Sequence, residues 1–147
     1  MTVRVQTEDF DLSAELADFA KGRTDVGARV SFTGVVRDVE GGLDRMEIEH
    51  YPGMTQKAIA AMVEQATLRW ELADCLVIHR HGPLRPGDQI MMVATAAPHR
   101  VAAFESAEFL MDYLKSRAPF WKKEFGADGS CWVDAKDEDE DALSRWE

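Results

Sequence analysis

A helix bracketed by two prolines is the tightest constraint in this sequence. Between Pro98 and Pro119, the residues Ala103, Phe104, Ala107, Leu110, Met111 and Leu114 recur at spacings of three and four, the period of a helix with one buried stripe. Pro119 has no amide hydrogen to continue the ladder, and it biases Ala118 toward an extended backbone. The spacing predicts a helix from about residue 99 to residue 116.

Basic side chains gather at both ends of that rod. His99 and Arg100 open it, Lys115 and Arg117 close it, and Lys122 and Lys123 follow beyond the break. A helix rises about 1.5 Å per residue, so Arg100 and Lys115 stand roughly 22 Å apart along the axis. No small anion touches both within one copy. If both clusters serve one site, a second copy must supply one of them, which points to a homodimer with shared pockets. Each residue alone also has a structural reading: the helix dipole favours a lysine at the C-terminus whatever the function, and Lys122 and Lys123 can be simply solvated.

At 147 residues the chain reads as one domain, 1–147, with room for a real core. Its hydrophobic share of 46% and charged share of 30% are those of a soluble globular protein. No apolar run approaches the roughly 20 residues of a membrane span, and MTVRVQTEDF lacks the apolar stretch of an export signal. Cytoplasm is the expected compartment. A net charge of −10 argues against general nucleic-acid binding. Much of the acid lies at about 134–147, a tail that reads as solvated or partly helical, so the rest of the chain can still hold local positive pockets. Cys75 and Cys131 have no metal-like or redox spacing and read as buried small hydrophobes. Any sulfur chemistry here would need a sulfur brought by another molecule.

Taken in order, TVRVQT alternates as a short strand, and Phe10, Leu12, Leu16, Phe19 and Ala20 mark a short helix with Asp11 or Ser13 as its cap. GARVSFTGVVRD and LDRMEIEHY flank the turn signal EGG, so the pair reads as a β-hairpin. Gly34 inside the first of these strands signals a bulge or a close backbone approach. Arg37 falls where that strand runs out, either a surface arginine or one placed to reach a ligand. MTQKAIAAMVEQATLRW gives a second long helix with Met54, Ala58, Ile59, Met62, Val63, Ala66 and Trp70 on one face. DCLVIHRHG reads as a buried strand, PLRPGD as a turn, QIMMVATAA as a strand, and CWVDAK as a last strand after the loop FGADGS.

This order, β-α-β-β-α-β-β-α-β, predicts an α+β sandwich with a mixed, largely antiparallel sheet and two long helices. No dinucleotide, P-loop, nucleophile-elbow or HExxH motif occurs, and no cofactor is expected. His79 and His81, two apart on a strand, raise the thought of a metal, but no second His/Cys pair completes a tetrahedral set. His50 reads as a packed side chain.

Five blocks then carry a resemblance over nearly the whole chain: FTGVVRD at 32–38, EHYPGM at 49–54, IHRHGPLRPGD at 78–88, APHRVAAFESAEFLMDYLK at 97–115 and APFWKKE at 118–124. Together they resemble the large catalytic subunit of molybdopterin synthase, the MoaE family with its α/β hammerhead fold. The resemblance implies a sulfurtransferase that builds the dithiolene of molybdopterin from cyclic pyranopterin monophosphate. It also implies a partner, a small ubiquitin-like sulfur carrier (MoaD-like) whose C-terminal Gly-Gly ends in a thiocarboxylate, and a heterotetramer built on a homodimer of the large subunit.

Matched motif by motif, the resemblance implies Lys115 and Lys122 for the chemistry. It implies Arg37 for the substrate's anion, with His99 and Arg100 reaching it from the other large subunit. Val35, Val36, Lys123 and Glu124 fall in its substrate-contacting stretches, and Phe32, Met111 and Lys136 are lesser candidates. Lys136 stands where the family can have an arginine, and lysine lacks the rigid two-pronged guanidinium. Two other classes fit the same residues: a non-enzymatic module binding an extended Gly-Gly tail, and a domain binding a phosphorylated small molecule.

Overall fold

The computed structural model describes residues 1–127, 129–133 and 137–147, with only the backbone of Asp137 described. In chain order its elements are β1 (Thr2–Gln6), α1 (Leu12–Asp18), β2 (Ala28–Val35), β3 (Leu43–His50), α2 (Met54–Trp70), β4 (Asp74–Arg80), β5 (Gly82–Leu84), β6 (Gln89–Ala97), α3 (Arg100–Ser116), β7 (Phe120–Gly126), β8 (Gly129–Trp132) and α4 (Asp137–Ser144). The strands form two four-stranded sheets, ordered β1-β4-β6-β2 and β5-β3-β7-β8. Among the described residues every pairing is antiparallel except that of β1 with β4. The expected α+β class with a mixed, largely antiparallel arrangement is what forms.

In the first sheet the middle strands β4 and β6 are buried on both faces, which is why they read as nearly unbroken apolar runs. Successive side chains of a strand point to opposite faces. Cys75, Val77, Met91 and Val93 pack against Ile59, Met62 and Val63 of α2 and Ala103, Phe109 and Leu110 of α3. Leu76, Ile78, Met92 and Ala94 pack on the other side with Phe10 and Phe19, which flank α1. The Asp11 carboxylate caps α1 by accepting from the Ala14 N–H at 3.1 Å. A third cluster, Val36, Leu43, Ile48 and Leu84, fills the junction with the second sheet.

Two local expectations are overturned by pairing between distant segments. β2 and β3 are not a hairpin: β2 runs along β6 from Ala28↔Ala97 to Val35↔Gln89, while β3 lies between β5 and β7 in the other sheet. The glycine turn is real, with Gly41 and Gly42 both at φ 88°. But a turn signal bends the chain without choosing its partners. Likewise PLRPGD is only partly a turn: Gly82–Leu84 pairs with Met46–Ile48 as β5, and the turn proper is closed by Asp88, whose carboxylate accepts from the Arg85 N–H at 2.8 Å.

Helix α3 begins one residue later than its periodicity suggests, with His99 as an extended N-cap. Its buried stripe is Ala103, Ser106, Ala107, Phe109, Leu110 and Leu114, whereas Phe104 is 59% exposed. On α2, Met54 is likewise exposed. Cys75 is fully buried, but Cys131, expected inside, is exposed on the edge strand β8. Gly27 is required where it stands, because a Cβ there would lie 2.2 Å from the Pro98 carbonyl oxygen.

The acidic C-terminus is helical, as one of the two readings had it, but it is not merely solvated. Leu143 is buried, and the Trp146 indole meets Trp70 and Phe109 edge-on at 5.5 and 5.7 Å. The Asp112 carboxylate accepts from Trp146 Nε1 at 2.6 Å and from Arg145 at 2.8 Å. These contacts fasten α4 to α3. No helix among the described residues is long and apolar enough to cross a membrane.

Candidate active site

The end of β2, the middle of β7 and the last turns of α3 converge on a cavity of about 530 Å³, within the usual range for small-molecule sites. From β2 and the residues after it come Phe32, Val35, Val36 and Arg37. The pairing of β2 with β6 slips between Gly34 and Val35, and a bulge of this kind re-aims the side chains beyond it. Its effect is plain here: Val36 is 2% exposed and Val35 50%, with Arg37 exposed beside them. Gly34 lies against Met91, whose Sδ would be 3.4 Å from an added Cβ.

β7 supplies its side chains by strand alternation. Phe120, Lys122 and Glu124 line the cavity, while Lys123 points elsewhere, its ammonium 5.1 Å from the centre of the Trp132 ring. From α3 come Met111, Leu114 and Lys115, and Asp139 of α4 closes one side. In a chain of net charge −10, Arg37, Lys115 and Lys122 thus share one concavity. That arrangement suits an anionic ligand.

Eight of the sequence-predicted residues meet in this cavity: Phe32, Val35, Val36, Arg37, Met111, Lys115, Lys122 and Glu124. Lys123 does not line it, nor do His99 and Arg100, which are exposed at the opposite end of α3. Lys136 lies outside the described residues. Sequence reasoning passed over Phe120, Met91 and Ile90, which also line the cavity, and considered His79 only as a metal ligand. The spacing Phe120, Lys122, Glu124 was the available signal, since period two is the mark of one strand face.

Three of the four histidines make ring contacts. His79 lies flat on Phe120 at 3.8 Å, and His81, just past the end of β4, meets His50 at 4.1 Å. Among the described residues no group of three or more His, Cys, Asp or Glu could hold a metal. Burial pushes the Cys75 thiol up to about 12, with Asp74 adding to the effect, which leaves it inert as a nucleophile.

Burial also pushes the His79 imidazole down to about 3; the Arg80 carbonyl opposes this, and the positive charges of Lys122 and Lys115 add to it. An unfolded histidine titrates near 6.5. Between those values the unfolded chain takes up a proton that the folded chain refuses. Stability is therefore full above about pH 6.5 and falls on acidification, by up to about 1.4 kcal/mol per pH unit for one proton. Denaturant midpoints measured from pH 7 down to pH 4 are expected to fall, and to fall less steeply in His79→Gln.

The comparisons with known proteins agree with this architecture. A family model described as MoaE protein matches residues 5–117. A relative named molybdopterin synthase catalytic subunit, from Cereibacter sphaeroides, is 64% identical over 146 residues, covering 99% of this chain and 100% of its own. Among solved structures, the molybdopterin biosynthesis MoaE protein of Burkholderia ambifaria superposes with a TM-score of 0.84 at 52% identity, covering 99% of this chain and 98% of its own. Molybdopterin synthase from Staphylococcus aureus gives 0.82 at 28% identity, over 89% and 96% of the two chains. With a match over most of its length and relatives this similar, the chain belongs to the MoaE family.

Proposed function

We propose that this protein is the catalytic subunit of a molybdopterin synthase, transferring sulfur from the C-terminal thiocarboxylate of a small ubiquitin-like carrier to cyclic pyranopterin monophosphate. The observation that carries this reading is the gathering of Arg37, Lys115 and Lys122 around one cavity of about 530 Å³. Relatives as similar as the one from Cereibacter sphaeroides bear the corresponding name.

In this reading Arg37 anchors the substrate's phosphate by charge-assisted hydrogen bonds, joined by His99 and Arg100 of a second copy. The thiocarboxylate sulfur attacks a substrate carbon that bears oxygen; the C–S bond forms as that C–O bond breaks, the departing oxygen takes up a proton, and the carrier is left joined to the substrate as a thioester. Water then adds to the carrier's carbonyl carbon. The C–S bond on that side breaks, and the carrier leaves as a carboxylate while the sulfur stays on the substrate as a thiolate. Lys115 and Lys122 stabilise the oxyanion of the hydrolytic step and move the protons of water. The inert Cys75 and the absence of Cys131 from the cavity fit a sulfur that comes from outside.

The test is a reaction of the purified protein with carrier thiocarboxylate and the pterin precursor. Dithiolene product and stoichiometric return of carrier carboxylate are expected. Tight binding of the carrier with no product would instead favour a non-enzymatic tail-binding module.

A further inference from the structure

One buried polar side chain of the cavity has no part in the reaction as just described. His79, on β4, is 4% exposed and lines the cavity. Its ring is stacked on Phe120 at an interplanar angle of 17°, and its Nδ1 lies 2.8 Å from the Arg80 carbonyl oxygen. A carbonyl oxygen only accepts, so Nδ1 carries the proton and Nε2 is left with a lone pair. Among the described residues nothing hydrogen-bonds Nε2. The ring is held on one face and on one edge, so that lone pair has a fixed direction.

The neighbouring groups give this atom its importance. Arg37 and the ammonium forms of Lys115 and Lys122 offer donors only, and Glu124 and Asp139 are carboxylates. His79 adds a neutral side-chain acceptor on a buried floor. A heterocycle entering the cavity brings N–H and O–H donors that lose water there, and each needs a partner.

We propose that His79 is a substrate-binding residue, its Nε2 accepting a hydrogen bond from an N–H or O–H of the substrate's heterocycle. The proposal rests on the function given above and names a contact within the same site. It also sets His79 apart from Arg37, which holds the phosphate, and from Lys115 and Lys122, which act in the hydrolytic step.

Comparing His79→Phe, which keeps a ring to stack on Phe120 but has no acceptor, with His79→Gln, which keeps an acceptor, tests this. With the carrier thiocarboxylate saturating, His79→Phe is expected to raise KM for the pterin precursor about tenfold while kcat stays within about threefold, the loss expected of one hydrogen bond. His79→Gln should restore KM to within about threefold of the wild type, with thermal unfolding recorded for both. A folded His79→Phe with wild-type KM overturns the proposal, as does an equal rise in KM in both variants, which would mean a packing role only. If His79→Phe does not fold, His79→Leu replaces it under the same criteria. Calorimetric titration with the precursor alone repeats the comparison without turnover, so a failure of sulfur transfer by the wild type is distinguishable from a failure at His79.

Discussion

Lys115→Ala is expected to lower the rate of dithiolene formation by at least about a hundredfold, the usual effect of removing a group that meets developing charge. Lys115 is exposed in the last turn of α3 and forms no ion pair with another described residue. Its loss should therefore cost the fold little, about 0.3–1 kcal/mol for its interaction with the helix dipole. Unfolding midpoint, self-association and carrier binding should all stay near wild type while turnover collapses. Lys115→Arg divides the two roles open to the side chain. A guanidinium keeps the positive charge but does not give up its proton in a protein, so recovery in the arginine variant would assign Lys115 to electrostatic stabilisation, and no recovery to proton transfer. Wild-type turnover in Lys115→Ala would remove the residue from the mechanism.

The second large effect concerns two impaired proteins that recover when combined. Arg100→Ala is expected to weaken precursor binding at least tenfold, as loss of a charge-assisted hydrogen bond does, although Arg100 lies outside the cavity of its own chain. Arg100 and Lys115 stand near opposite ends of the 17-residue helix α3, so a site that uses both draws them from two chains. If Lys115→Ala and Arg100→Ala subunits are unfolded together and refolded, half the dimers are mixed. One of the two sites in each mixed dimer is then intact, which in a twofold-symmetric dimer gives about a quarter of wild-type activity. Activity no higher than that of the separate variants would refute sharing.

What the sequence disclosed follows from how local each signal is. β6 is found where its apolar run stands, and α3 to within a residue, because prolines and periodicity act over a few positions. β5 and β7 went unrecognised for the opposite reason. Pro83 and Leu84 count as a strand only because Met46 and Glu47 lie beside them, and the charged WKKE segment becomes one only through β3 and β8. The same limit hid His79, whose meaning depends on Phe120, 41 positions away in the sequence. Phe104 kept the helical period yet stayed outside, since periodicity defines a face but not its width. The cluster of Arg37, Lys115 and Lys122 was anticipated from motif resemblance, and no single motif would have located it.

Phe120, Lys122 and Glu124 of the cavity wall lie beyond the end of α3, on β7. A fragment cut at that point would keep Lys115 but strip β3 of its longer neighbour, leaving only the short β5 beside it, and a two-stranded ribbon of this kind is marginal in water.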